Sequence, residues 1–132
     1  MPEAKEKSNL EISKTTKGKL PRLPFWRLKE KILGKKYKLS LVFADPATSK
    51  RINRSYRGKN KPADVLSFPY SPKEGEILIC PMVARKKAKD FGLSAENFLI
   101  FLLIHGMLHL KGHRHGSKME RKEAYFLKKY KL

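Results

Sequence analysis

Apolar positions along the chain change period several times, and each change predicts an element. "LEISKTT" and "YKLSLVF" alternate apolar and polar residues, the signature of half-buried strands, and the first is short enough to be an edge strand. Between them, in "FWRLKEKILGKK", Phe25, Leu28, Ile32 and Leu33 recur at helical spacing, with Gly34 as the stop. Asp45 followed by Pro46 starts another helix: the carboxylate caps free amides, and proline occupies the first turn, where its missing donor costs nothing. That helix should end near Gly58. "DVLSF" and "EILIC" read as two further strands, the second bounded by Gly75 and Pro81, and Pro81 opens the helix "PMVARKKAKDF" before Gly92. Ser94 caps the long apolar helix that follows. Ser117 and Glu120 form a capping box that starts the last helix, "KMERKEAYFLKKY".

Strands both adjacent and separated by helices imply an α+β fold, a mixed sheet of about four strands packed with helices. A length of 132 residues suits one ordinary domain. With no repeat or low-complexity linker, residues 1–8 read as a flexible basic leader and 9–132 as a single domain. The longest apolar run, "FLIFLLIHGMLHL" at 98–110, is too short to cross a bilayer and carries two histidines, so it reads as a buried core helix and no membrane partner is expected. The first residues carry charges where a signal peptide needs an apolar run. The single cysteine, Cys80, excludes an internal disulfide and a cysteine-based zinc cluster; at a strand end it reads as a small buried hydrophobe. A reducing, cytoplasmic location is the expectation.

Charge narrows the partners. Lysine and arginine number 31 against 12 acidic residues, a formal net charge of +19 spread along the chain. Such a field attracts polyanions, and nucleic acid is preferred over an anionic membrane surface because no lone basic amphipathic anchor stands out. Solubility alone is the plainer explanation. Lys59 and Lys61, in "GKNK", either track a phosphate backbone or solvate a turn. Asp64 reads as a cap as readily as a site residue. Tyr56, Phe68 and Tyr70 have rings that can stack on bases, though at least two of the three are expected in the core.

All four histidines fall within "HGMLHLKGHRH", residues 105–115. On an α-helix four residues turn about 400° and rise about 6 Å, so His105 and His109 project from one face a turn apart and can grip one metal ion. Gly112 stands where a left-handed residue ends a helix. His113 would continue the stripe if the helix persisted, whereas His115 needs the turn, and the glycine favours His115 as third ligand. Three imidazoles leave a tetrahedral zinc one open position, the arrangement of catalytic rather than structural sites. The spacing matches the zinc-protease HExxH motif, but Gly106 stands where that motif carries its general-base glutamate, so a protease mechanism has poor support.

At these residues the chain resembles the YbeY family of rRNA maturation factors, described also as metal-dependent endoribonucleases. Their signature, HGxLHLxGxxH, fits His105 to His115, and "INRSYRGKNKPADVLSF" and "GEILIC" are similar to two further family stretches. The likeness covers roughly residues 37–125. It implies a zincin-like metal-bearing helix, one Zn(2+) per chain on His105, His109 and His115, and Arg57 near the site. His105 and Arg57 would then be the catalytic residues. Arg57 suits a phosphate clamp, because its planar fork can hold two phosphate oxygens as charge grows on them. Lys59, Lys61 and Arg114 are the weaker RNA-contact candidates. The family commonly places aspartate just before the last histidine; Arg114 stands there in this chain. The resemblance further implies single-strand-specific cleavage in rRNA maturation (16S 3' end), ribosome quality control, and the small ribosomal subunit as partner. The alternatives are a non-catalytic ribosome assembly factor with a structural metal, which a fourth protein ligand would indicate, and another metal-dependent hydrolase such as a peptidase, which a carboxylate poised over the metal would revive.

Overall fold

The structure, a computed structural model, describes residues 9–132; the expected leader at 1–8 lies outside the described residues. Four strands form one mixed sheet: β1 (Leu10–Lys14), β2 (Lys38–Phe43), β3 (Val65–Ser71) and β4 (Glu74–Ile79), in the order β1-β2-β4-β3. β2 runs parallel to both β1 and β4, and β3 pairs antiparallel with β4 as a hairpin. β1 is an edge strand, as its length suggests, and β3 is the other edge. The parallel pairs need crossovers, which α1 (Phe25–Ile32) and the segment containing α2 (Pro46–Arg57) and β3 supply. α3 (Pro81–Ala88), a single 3-10 turn (Lys89–Phe91), α4 (Ala95–Leu110) and α5 (Ser117–Tyr130) complete the chain.

Strand alternation sorts the side chains into two layers. Leu39, Leu41, Phe43, Ile77 and Ile79 point to one face and are buried against α1 and α4. Leu66 and Leu78, opposite each other in the hairpin, point to the other face and pack with Ala44, Ala63 and Ile52 beneath α2. α4 is apolar on nearly every side because β3, β4 and three helices surround it. Burying one of its leucines, such as Leu103, contributes roughly 1.5–3 kcal/mol. Among the described residues no single helix is long and apolar enough to cross a membrane.

Capping follows the side chains that can reach free amides. Asp45 accepts from the Thr48 amide at 3.3 Å and from the hydroxyls of Thr48 and Thr15 at 2.6 and 2.7 Å. These bonds, the Thr48 hydroxyl first, hold its carboxyl down at about 2. Ser94 accepts from the Asn97 amide at 3.1 Å, as expected. The capping box at Ser117 and Glu120 does not form. Gly116 precedes the first turn at φ 153° and ψ −179°, a region essentially reserved for glycine, so Ser117 is already inside the helix and no side chain caps it.

The expectation that at least two of Tyr56, Phe68 and Tyr70 lie in the core also needs correction. Tyr56 and Tyr70 are exposed, and only Phe68 is partly buried, under α2. Tyr70 lies beyond the cover of α2, and its hydroxyl donates to Glu76; that bond pushes the phenol up to about 12. Lys29, by contrast, is fully buried on α1, its Nζ donating to the Lys35 carbonyl at 2.8 Å.

Candidate metal centre

α4 presents His105 and His109 from its last two turns, both half-buried beside β3. The helix ends at Leu110, and Gly112, at φ 104°, reverses the chain in a conformation that L side chains rarely adopt. The reversal returns His115 to the pair. The three rings lie with centroids 4.6, 5.2 and 4.6 Å apart, and one ligand nitrogen from each falls within 4.8 Å of the others. Among the described residues no fourth histidine, cysteine or carboxylate joins this set.

The outer nitrogens of the two helical rings are tied down. His109 Nδ1 lies 3.0 Å from the His113 carbonyl, and His105 Nδ1 lies 2.5 Å from Glu123 Oε2. A carbonyl and a carboxylate can only accept, so each Nδ1 carries the proton and each Nε2 lone pair is left for the cluster. Burial, and then the neighbouring His105, hold His109 below the ordinary imidazole value, against the bond to His113. The neutral ring is the form that ligates. His113 thus takes part through its backbone, while its ring lies outside the set.

Donor chemistry fits a borderline-soft divalent ion. Two metal–nitrogen bonds of about 2.0–2.1 Å span at most about 4 Å, so small ring rotations close a set already within 4.8 Å. Carboxylate-backed imidazole is the usual support for such a ligand. Glu123, buried on α5, was not among the residues that sequence reasoning singled out. Its signal was an acidic residue in an apolar stripe: Met119, Phe126, Leu127 and Tyr130 share its side of α5, and only a partner justifies a carboxylate there.

Gly106 has a packing reason. A Cβ there would meet Ile77 Cδ1 at 3.0 Å, Ser67 Oγ at 3.1 Å and Ile77 Cγ2 at 3.2 Å. The side that carries the glutamate in HExxH is pressed against the sheet, with no room for one. Of the carboxylates near the histidines, Glu123 is engaged with His105, and Asp64 with Lys87 at 3.3 Å and with the Val65 amide at 2.8 Å; Glu120 lines a cavity with His105 and His115 but does not join the nitrogen set.

Arg57, the last residue of α2, comes from the opposite face of the sheet. Around the edge strand β3 it meets the histidines in a cavity of about 510 Å³, lined also by Tyr56 and Ser67. Lys59 and Lys61 sit on the exposed turn after Gly58, and Arg114 is exposed between His113 and His115; none of the three lines this cavity. A second cavity, of about 280 Å³, is also lined by His105 and His115.

Comparison with known proteins gives the family and the fold. The profile of the family described as Endoribonuclease YbeY matches residues 4–131. The chain is 40% identical over 96 residues to Endoribonuclease YbeY of Persephonella marina, covering 67% of this chain and 63% of that protein. With the proteins of the same name from Bdellovibrio bacteriovorus and Staphylococcus carnosus the identities are 42% over 81 residues and 37% over 99. Coverage of this chain is 60% and 66%, and of those relatives 54% and 65%. The alignments thus span less than two thirds of each relative's length. Among solved structures, the solution structure of TM1509 from Thermotoga maritima superposes with a TM-score of 0.64 at 28% identity, covering 89% of this chain and 87% of that one.

Proposed function

The chain belongs to the Endoribonuclease YbeY family, and from that premise we propose that it is a zinc-dependent endoribonuclease cutting single-stranded RNA in ribosomal RNA maturation. One observation carries the reading: three imidazoles with converging nitrogens share a cavity with an arginine from the opposite side of the sheet. His105, His109 and His115 would hold the ion, which when bound supplies Lewis acidity and a hydrolytic nucleophile at neutral pH. The remaining chemistry belongs to the chain. Glu123 and the His113 carbonyl hold the two helical imidazoles in their ligating tautomers. Arg57 binds two oxygens of the scissile phosphate and offsets charge that grows on them. The +19 field concentrates the polyanion at the cavity, with Lys59, Lys61 and Arg114 as outlying contacts. Residues 9–132 act as one metallohydrolase unit in the cytoplasm, on the small ribosomal subunit at the 16S 3' end and in ribosome quality control. Three ligands rather than four support catalysis over a purely structural metal.

The test is cleavage of an unstructured RNA and of its duplex by zinc-loaded protein. Single strands should be cut and duplex spared; His105→Ala should lose metal and activity together. Arg57→Ala should retain zinc and lose cleavage by about 10²-fold or more, and Arg57→Lys should recover little because an ammonium lacks the bidentate fork. Cleavage by His105→Ala at the wild-type rate, or metal loss in Arg57→Ala, would overturn the assignment.

A further inference from the structure

We propose that the second cavity is a nucleobase subsite, which receives the unpaired base beside the scissile phosphate and favours bases bearing an exocyclic amino group over uracil. The proposal rests on the endoribonuclease reading above. The cavity, about 280 Å³, shares His105, His115, Asp64 and Val65 with the cavity that holds Arg57, so a nucleotide spanning both would have its phosphate at one and its base in the other. Its size lies just below ligand pockets of about 300–1,000 Å³, which suits one base and excludes an oligonucleotide.

Its walls are aromatic. Phe98 and Phe101 stack at 5.9 Å with 20° between their planes, and Phe91 lies 4.9 Å from Phe98 and 6.1 Å from Phe101. Phe101 in turn lies 6.1 Å from His105, so rings continue from the surface to the metal centre. Phe91 is 57% exposed at the mouth, where an apolar ring face is left to water. Such a face is the platform on which single-stranded nucleic acid stacks, and every base has a π-face to offer.

Electrostatics decides which part of a nucleotide enters. Glu120 and Glu123 line this cavity alone and repel a phosphate; Asp64 lines both, whereas Arg57 lines only the other and attracts one. Glu123 is committed to His105 and Asp64 to Lys87, while the exposed Glu120 side chain has no hydrogen bond or ion pair among the described residues. A carboxylate only accepts, so it pairs with the exocyclic amino group of adenine, cytosine or guanine. Uracil has no exocyclic amino group, and its O4, an acceptor where cytosine carries its amino group, meets the carboxylate unfavourably.

Two readouts test this. In metal-loaded Arg57→Ala protein, chosen to slow cleavage, a hexaribonucleotide carrying one 2-aminopurine should lose fluorescence on binding as the base stacks. Adding Phe91→Leu, which keeps apolar packing but removes the ring face, should abolish the quenching and weaken binding roughly tenfold, with the melting temperature confirming the fold. Unchanged quenching and affinity in Phe91→Leu would overturn the subsite. In the wild type, cleavage sites mapped on unstructured RNA of random sequence should show uracil depleted at one nucleotide flanking the cut. Glu120→Gln, whose amide can also donate, should relax that depletion. Cleavage indifferent to both flanking bases would overturn the selectivity. A wild type that stacks 2-aminopurine through Phe91 and cuts nothing would support the base pocket and remove the endoribonuclease reading instead.

Discussion

Replacing Glu123 with alanine should weaken metal binding 10- to 100-fold without unfolding the protein. Glu123 is buried, and its Oε2 accepts a hydrogen bond from His105 Nδ1, 2.5 Å away. That bond fixes both the tautomer and the rotation of the ring, so its loss lets His105 turn and lets the proton move to the ligating nitrogen. Outer-shell partners of this kind are worth about 10–100-fold in affinity, or about 1.4–2.8 kcal/mol at 1.4 kcal/mol per tenfold. The fold itself should lose less, because the His105 side chain is 21% exposed and water can replace the carboxylate. Glu123→Gln should fall between wild type and alanine, keeping an acceptor oxygen but no charge. The assay is competition for zinc against a chromophoric chelator at neutral pH, alongside thermal unfolding of the metal-free proteins. An alanine variant that binds zinc within twofold of wild type would refute the reasoning, since the carboxylate would then neither orient nor polarise the ligand.

Three further outcomes follow from individual residues. Metal content, by elemental analysis, should fall sharply in His115→Ala and stay near one ion per chain in His113→Ala, because only the His113 carbonyl contacts the set. Gly106→Ala should destabilise by about 1 kcal/mol in urea unfolding: overpacking against buried Ile77 costs about 1–3 kcal/mol, and the better helix propensity of alanine returns about 1 kcal/mol; a more stable variant would show that Ile77 yields freely. Asp45 has its carboxyl held at about 2 against an ordinary 3.8, so its contribution is complete above about pH 4 and is lost as pH falls toward 2. Thermal unfolding of Asp45→Asn should therefore lose that part of the acid limb, and an unchanged pH profile would contradict the bonding seen at the helix start.

Much of the fold was legible because local chemistry punctuates it. Asp45-Pro46 and Ser94 mark helix starts, Gly58 and Gly112 mark ends, and the alternating strands lie where the period of two places them. The strand order was not legible. Pairing of β2 between β1 and β4 depends on contacts far apart along the chain, and no window of periodicity records them. The misread positions share one cause. Ser117, Tyr56 and Tyr70 were judged by residue type, while their roles depend on what lies across from them: a glycine already turning the chain before Ser117, and the reach of α2 over the hairpin. Lys29, on which the sequence offered no reading, is a charged residue buried where a carbonyl six positions on accepts from its ammonium.

The histidine cluster was legible for a different reason, which also explains why Glu123 was missed. A pair four apart and a glycine-made return are contained in one stretch of chain, so spacing alone brings the rings together. Support for those rings is split between neighbours of two kinds. His109 takes its acceptor from His113, four residues away and inside the same stretch, whereas His105 takes its acceptor from α5, eighteen residues on. Arg114, where the family resemblance led to an expected aspartate, is exposed and outside both cavities. A carboxylate nevertheless reaches the cluster, because Met119 is buried and docks α5 with Glu123 turned inward. His115 and Glu123 therefore depend on the same docking, one just before α5 and one on it. The candidate metal centre is in this sense a property of the α4–α5 interface: the geometry of the histidines and helix packing are one equilibrium, and what loosens α5 loosens two of the groups on which an ion would depend.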